Sequence, residues 1–200
     1  MGGRFSRQEQ PTSPLLLIRT THKKPIKVIM LGLEDRDMKE LIPHLGLGKD
    51  PTVTIPTIGI NIKTIDLANQ LVFYSWNIRD SSRRGRFWRS VKRFMAEYDV
   101  MVFVVDAADR DRLFEARDEL ESYLRLDWEE QGKLEKETAL LILATRCEYP
   151  QAWDLSEIRD AFELITGERK WRIQGCDATT GEGVVEGLEW VAAQFSGVVP

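Results

Sequence analysis

Cysteine is scarce. The two thiols, Cys147 and Cys176, make no disulfide framework and stand at no metal-ligand spacing. That points to a reducing, intracellular setting. Long apolar runs are missing: none approaches the ~20 residues of a membrane-spanning helix. Leu15–Ile18 is too short for the apolar region of a secretory signal. Positive charge has no majority either. The formal net charge is −4, so nothing pulls the whole chain toward nucleic acid or anionic lipid. What is present is 200 residues with 42% hydrophobic content, which suits one compact domain with a full core and a tail.

The most informative absence is local. Lys27–Lys39 begins as the apolar run Val28-Ile29-Met30-Leu31, a buried strand, and turns at Gly32. A phosphate-binding loop would continue G-x-x-x-x-G-K-[ST], with backbone N–H groups and the lysine around the phosphates. Here Asp37 stands in place of the second glycine, Met38 in place of the lysine, and Lys39 in place of the hydroxyl that would ligate Mg²⁺. The place for a nucleotide is kept and its chemistry is changed.

Residues 1–25 carry Pro11, Pro14, Ser, Thr and basic residues without lasting periodicity, and read as a flexible tail. Met1-Gly2-Gly3-Arg4-Phe5-Ser6 matches M-G-x-x-x-[ST] for myristoylation of Gly2. One myristoyl chain binds membranes only marginally, so a second signal is needed. Phe5, Leu15–Ile18 and the basic Arg4, Arg7, Arg19, Lys23 and Lys24 offer one. The motif is short, and a tail that merely begins Met-Gly satisfies it as well.

Past the tail the pattern is regular. Strands are expected at 26–31, 60–65, 71–76, 100–105, 139–144 and 171–174. Helices are expected from about 39 to 45, and over 110–126, 155–165 and 183–195. The first of these should be short or kinked, because Pro43 removes a backbone donor inside it. Leu113, Ala116, Leu120 and Leu124 make one apolar stripe, and Val184, Gly187, Leu188 and Val191 another. Strands alternating with helices imply a mostly parallel sheet covered on both faces, with ligands beyond the carboxyl ends of the strands.

The loops on that edge carry a likeness. Gly32-Leu33-Glu34, Ile55-Pro56-Thr57-Ile58-Gly59-Ile60-Asn61 and Trp76-Asn77-Ile78 are followed by Val104-Val105-Asp106-Ala107-Ala108-Asp109-Arg110 and Gly181-Glu182-Gly183. With Trp88 and Glu186-Gly187-Leu188-Glu189-Trp190, they make residues 26–196 resemble a small GTPase of the Arf and Arf-like branch of the Ras superfamily. The resemblance implies an α/β, P-loop NTPase-like small GTPase fold with a six-stranded, mostly parallel sheet. It also implies GTP or GDP with Mg²⁺, and GTP hydrolysis.

Position by position, the implied nucleotide site departs from the family. Met38 removes a positive charge from the β- and γ-phosphates, and Glu34, Asp35, Asp37 and Glu40 crowd the place, with Arg36 and Lys39 as partial offsets. Two like charges at ~4 Å repel by about 4 kcal/mol at an effective dielectric of ~20. Thr57 matches the threonine that closes on Mg²⁺, although a turn threonine after Pro56 fits the same pattern. By position, Thr57 and Lys39 stand where the family ligates Mg²⁺. Asn77, Arg79, Asp80 and Ser81 replace the family's aspartate, two glycines and water-orienting glutamine. The guanine motif N-K-x-D reads Thr145-Arg146-Cys147-Glu148, and in Asp177-Ala178-Thr179 the Ala178 N–H is kept for a base oxygen.

The expectation is therefore a pseudo-GTPase with no cofactor, the alternative being a divergent GTP switch. By family analogy it would be a peripherally membrane-associated monomer of the cytoplasm, at Golgi or other endomembranes, acting in vesicle traffic. Its protein partners would read Ile60, Trp76 and Val91 on the surface between the switches, unless Ile60 and Trp76 are simply core residues. The basic run Ser82–Arg89 is either a solvated face or a contact to acidic lipid or an acidic partner.

Overall fold

A computed structural model describes residues 26–45, 54–57, 60–63, 71–77, 98–131, 138–167 and 169–195. Gly2, Asp80, Val91 and the basic run lie outside them. The strands are Ile26–Gly32 (β1), Thr54–Thr57 (β2), Ile60–Lys63 (β3), Leu71–Asn77 (β4), Val100–Asp106 (β5), Ala139–Thr145 (β6) and Trp171–Cys176 (β7). The helices are Asp35–Leu41 (α1), Leu113–Gln131 (α2), Leu155–Thr166 (α3) and Val184–Phe195 (α4).

The described strands form one sheet in the order β2-β3-β4-β1-β5-β6-β7. β4, β1, β5, β6 and β7 run parallel, and β3 and β2 close one side antiparallel. The expected α/β class stands, with β2 as a strand beyond the six expected. Pro56 lies in that strand, and a residue without an N–H is tolerated where a sheet has its edge.

Strands β1, β5 and β6 are apolar on both faces, as a sheet covered twice requires. Val28 and Met30 of β1, Val100, Val102 and Val104 of β5, and Leu141 and Leu143 of β6 enter one core with α1 and α4. Their neighbours Ile29, Leu31, Met101, Phe103, Val105, Leu140 and Ile142 enter the other, under α2 and α3. The period of two in each strand divides the residues between the two cores.

The helical stripes behave as the spacing predicts. Leu113, Ala116, Leu120 and Leu124 are all buried, as are Val184, Gly187, Leu188 and Val191. α3 opens with a capping box: the Glu157 carboxylate accepts the Asp154 N–H at 2.9 Å. Trp153 and Trp171 lean on the second core as fold residues.

One helix departs from expectation. α1 starts at Asp35 rather than near Lys39, so only Leu33 and Glu34 separate it from β1. It tightens at Ile42–Leu45 into a 3-10 turn containing Pro43, the shortening that the proline predicts.

Candidate functional site

In open α/β sheets the ligand crevice lies beyond the carboxyl ends of the strands, where the strand order reverses. Here the chain passes from β1 inside the sheet to β2 at one edge, works back through β3 to β4 beside β1, and then adds β5, β6 and β7 on the other side. The switch point therefore lies at the ends of β1 and β5, at Gly32 and Asp106, with Thr145 ending β6 beside them. Gly32 has a packing reason: a Cβ there would stand 3.1 Å from the Val104 carbonyl oxygen. That is tighter than ordinary contact, so the glycine lets β1 close on β5.

The corner after Gly32 is closed by side chains. Leu33 and Met38 are buried in opposite cores, Met38 at 1% exposure. Burying a thioether side chain contributes about 1.5–3 kcal/mol, and it holds the first turn of α1 down on the sheet. Asp37, also 1% exposed, is turned inward. One of its oxygens accepts the Thr145 hydroxyl at 2.9 Å, and the other lies 2.5 Å from a guanidinium nitrogen of Arg146. The second terminal nitrogen of Arg146 pairs with Asp106. The other Asp106 oxygen accepts the Ala108 N–H at 2.9 Å.

A second bridge stands next to the first. Arg112 reaches Glu34 through one nitrogen and Asp109 through the other, both at 2.5 Å. Between the two bridges is a cleft of about 20 Å³ bordered by Leu33, Glu34, Asp37, Asp106, Asp109 and Arg112. That is room for a single water. On the far side of Arg146 lies a broad, open depression of about 580 Å³, reached by Arg110, Tyr149 and Gln151.

The electrostatics follow from burial and pairing. Burial pushes the Asp37 carboxyl up from its ordinary value, opposed by the Thr145 hydroxyl and the Arg146 guanidinium. Burial works against the charge on Arg146, but the Asp37 and Asp106 carboxylates outweigh it and hold the guanidinium more firmly protonated than usual. Hydrogen bonds to Asp109 and Glu34 do the same for Arg112. Neither thiol suits nucleophilic work: burial pushes Cys176 up to about 12 and Cys147 up as well.

The sequence-predicted residues are brought together only in part. Asp37, Thr145 and Arg146 meet. Met38 leaves the site for the core, and Lys39 is exposed on α1. Arg36 offsets one of the acids as expected, pairing along the helix with Glu40 at 3.0 Å; among the described residues, Asp37 and Glu34 are met by Arg146 and Arg112. Glu148 is exposed in the turn after Arg146. Ala178 is buried in the first core with Met38 and Cys176. The loop after β7 is gathered by Asp177, whose carboxylate accepts the Thr179 N–H at 2.7 Å and the Thr180 hydroxyl at 2.9 Å. Those bonds hold the Asp177 carboxyl below its ordinary value. Thr57 ends β2 opposite Ile60, and Ile60 faces Trp76 across the β3–β4 ladder. Arg112 was not singled out from the sequence. Its spacing to Asp109 is a weak local hint, and its pairing with Glu34 has no sequence mark.

Among the described residues no cluster of His, Cys, Asp and Glu could hold a metal ion, and no helix is long and apolar enough to cross a membrane. A sequence profile of the ADP-ribosylation factor family matches residues 14–195, most of the chain. With the strand order, the switch-point corner and this match, the chain belongs to the ADP-ribosylation factor (Arf) family of Ras-superfamily small GTPases.

Proposed function

We propose that this Arf-family protein is a pseudo-GTPase: a GTPase scaffold that has given up the nucleotide switch and works as a membrane-associated adaptor or competitor in intracellular vesicle traffic. The family binds GTP or GDP with magnesium. The residues at this corner do not fit that ligand. The observation that carries the reading is Arg146, whose guanidinium lies between Asp37 and Asp106 where a phosphate cradle would have to open.

Two further features support it. A cradle presents backbone N–H groups along a loop before the helix. With α1 starting at Asp35, that loop is reduced to Leu33 and Glu34, both turned to other partners. The position of the phosphate-binding lysine is filled by a methionine packed in the core. A polyphosphate would thus meet a buried carboxylate, and the described cations beside it, Arg146 and Arg112, are already paired with carboxylates. With Ser81 in place of the glutamine that orients water, hydrolysis by the family's route has no residue to direct it.

The remaining surfaces are those a binding module needs. Ile60 and Trp76 hold opposed positions on the β3–β4 ladder, the place where the family's partners read the strands between the switches. Gly2, when acylated, would bring the chain to a membrane with the basic and apolar residues of the tail as the second signal.

Calorimetric titration of the full chain with GDP and with GTP, each with and without Mg²⁺, tests the reading. No saturable heat up to about 1 mM nucleotide is expected. Saturable binding at about micromolar levels would favour the divergent but working GTP switch, with Asp37 and Arg146 parting to admit it.

A further inference from the structure

The two arginines at the corner share one design. Each guanidinium fork is held on both sides by carboxylates. In each case one carboxylate comes from the β1–α1 corner, Glu34 or Asp37, and one from the end of β5 or the loop after it, Asp109 or Asp106. Arg112 brings its charge from the start of α2, and Arg146 from the turn after β6. A planar fork with fixed donors suits two-sided carboxylate bridging in a way a flexible ammonium does not.

The backbone adds an independent sign. Arg146 has φ 57°, the left-handed region, and it alone does so among the described non-glycine residues. That conformation costs an ordinary L-residue about 1–2 kcal/mol. It persists only where the surroundings over-determine it. Here it sets the side chain between Asp37 and Asp106, and Thr145, immediately before it, spends its hydroxyl on the same carboxylate.

We propose that Arg112 and Arg146 form a double latch that holds the β1–α1 corner in one closed position without a ligand. This rests on the ligand-free reading above. In the latched chain the corner, the loop after β5 and the end of β6 move as one body, and the corner is indifferent to added nucleotide. Arg112 and Arg146 are positioning residues: they act by fixing Glu34, Asp37 and the backbone that carries them.

Hydrogen–deuterium exchange on the full chain tests this, with residues 33–41 as the reporter and α3 as the internal reference. In the wild type the corner should be protected with no nucleotide present, and GDP with Mg²⁺ at about 1 mM should leave its rate unchanged. In the Arg112→Met/Arg146→Met double variant the corner should exchange at least about tenfold faster while α3 keeps its rate. A wild-type corner that exchanges like unfolded chain, or a double variant with an unchanged corner, overturns the latch. If α3 also loses protection, Arg146→Lys decides. Faster exchange at the corner alone supports the latch, and the wild-type rate there overturns it. Slowing of the wild-type corner by GDP would instead overturn the ligand-free reading, so the two failures are distinguishable.

Discussion

Two corners lie on the same edge of the same sheet, one after β1 and one after β7, and they are built by opposite means. The corner after β7 is made mostly by residues of its own loop, with one distant side chain, His44, whose Nε2 lies 3.0 Å from the Thr179 carbonyl oxygen. Asp177 gathers the N–H groups of the residues that follow it, and Gly183, with φ 79°, turns the chain into α4. A Cβ on Gly183 would stand 2.1 Å from the Gly175 carbonyl oxygen, so only glycine fits. The corner after β1 is made by side chains from far away. Arg146 joins Asp37 from 109 positions along the chain, and the short passage from Gly32 to α1 exists because those partners close it. A corner held by its own loop depends little on distant residues, whereas the corner after β1 depends on partners far along the chain.

Substitutions can break this contrast, and the largest effect falls at Met38. Restoring the family's lysine there, Met38→Lys, should destabilise the domain by about 4 kcal/mol, because the ammonium enters an apolar core with no partner. It should add no nucleotide affinity. A Met38→Lys protein that kept its melting temperature and gained GDP binding would show that a cradle remains.

Next in size is Arg146→Met, expected to cost about 3 kcal/mol near neutral pH by leaving Asp37 buried and unpaired. Its pH dependence has a definite sign. With the cation gone, burial raises the folded pKa of Asp37 still further above its unfolded value of about 3.9. A group shifted that way favours the fold most in acid and loses that contribution as pH rises through the folded value. The deficit should therefore narrow as pH falls from neutral into that window. Once protonated, the carboxyl can donate to Thr145 Oγ1, whose own proton has the Val105 carbonyl 3.2 Å away. Urea unfolding at a series of pH values checks this, and a deficit that widened in acid would contradict the pairing.

At the other corner, Gly183→Ala should cost about 2 kcal/mol or more, through the left-handed backbone and the overlap of its Cβ with the Gly175 carbonyl, with no pH dependence of its own. The smallest effect is expected at Arg112→Met, at most about 1 kcal/mol, since its bridge is part-exposed and screened by solvent. The same unfolding series orders the three. A Gly183→Ala deficit that varied with pH as the Arg146→Met one does would erase the difference between the corners.

That difference also explains what the sequence made legible. The runs of β1, β5 and β6 and the stripes of α2 and α4 are local signals, and burial follows them residue by residue. The capping box of Asp154 and Glu157 at the start of α3 is a local feature of the same kind. The start of α1 was misplaced because a phosphate-loop template puts the helix after the second glycine. With Asp37 at that position α1 starts at Asp35, and the cation paired with Asp37 is distant in sequence. The excess of acid around Gly32 was legible as charge. Its answer was legible only in part: Arg36 pairs with Glu40 one turn away, while Arg112 and Arg146 are near Glu34 and Asp37 only in space. Edge strand β2, four residues with a proline, has too short a pattern to stand out.

The most direct measurement is the nucleotide carried by the full chain as purified, released by denaturation and quantified by chromatography. The closed corner predicts a trace of guanine nucleotide, below about 0.1 mol per mol of protein, as expected for affinities weaker than about millimolar. Stoichiometric GDP or GTP would mean that Asp37 and Arg146 give way to a ligand, and would contradict it.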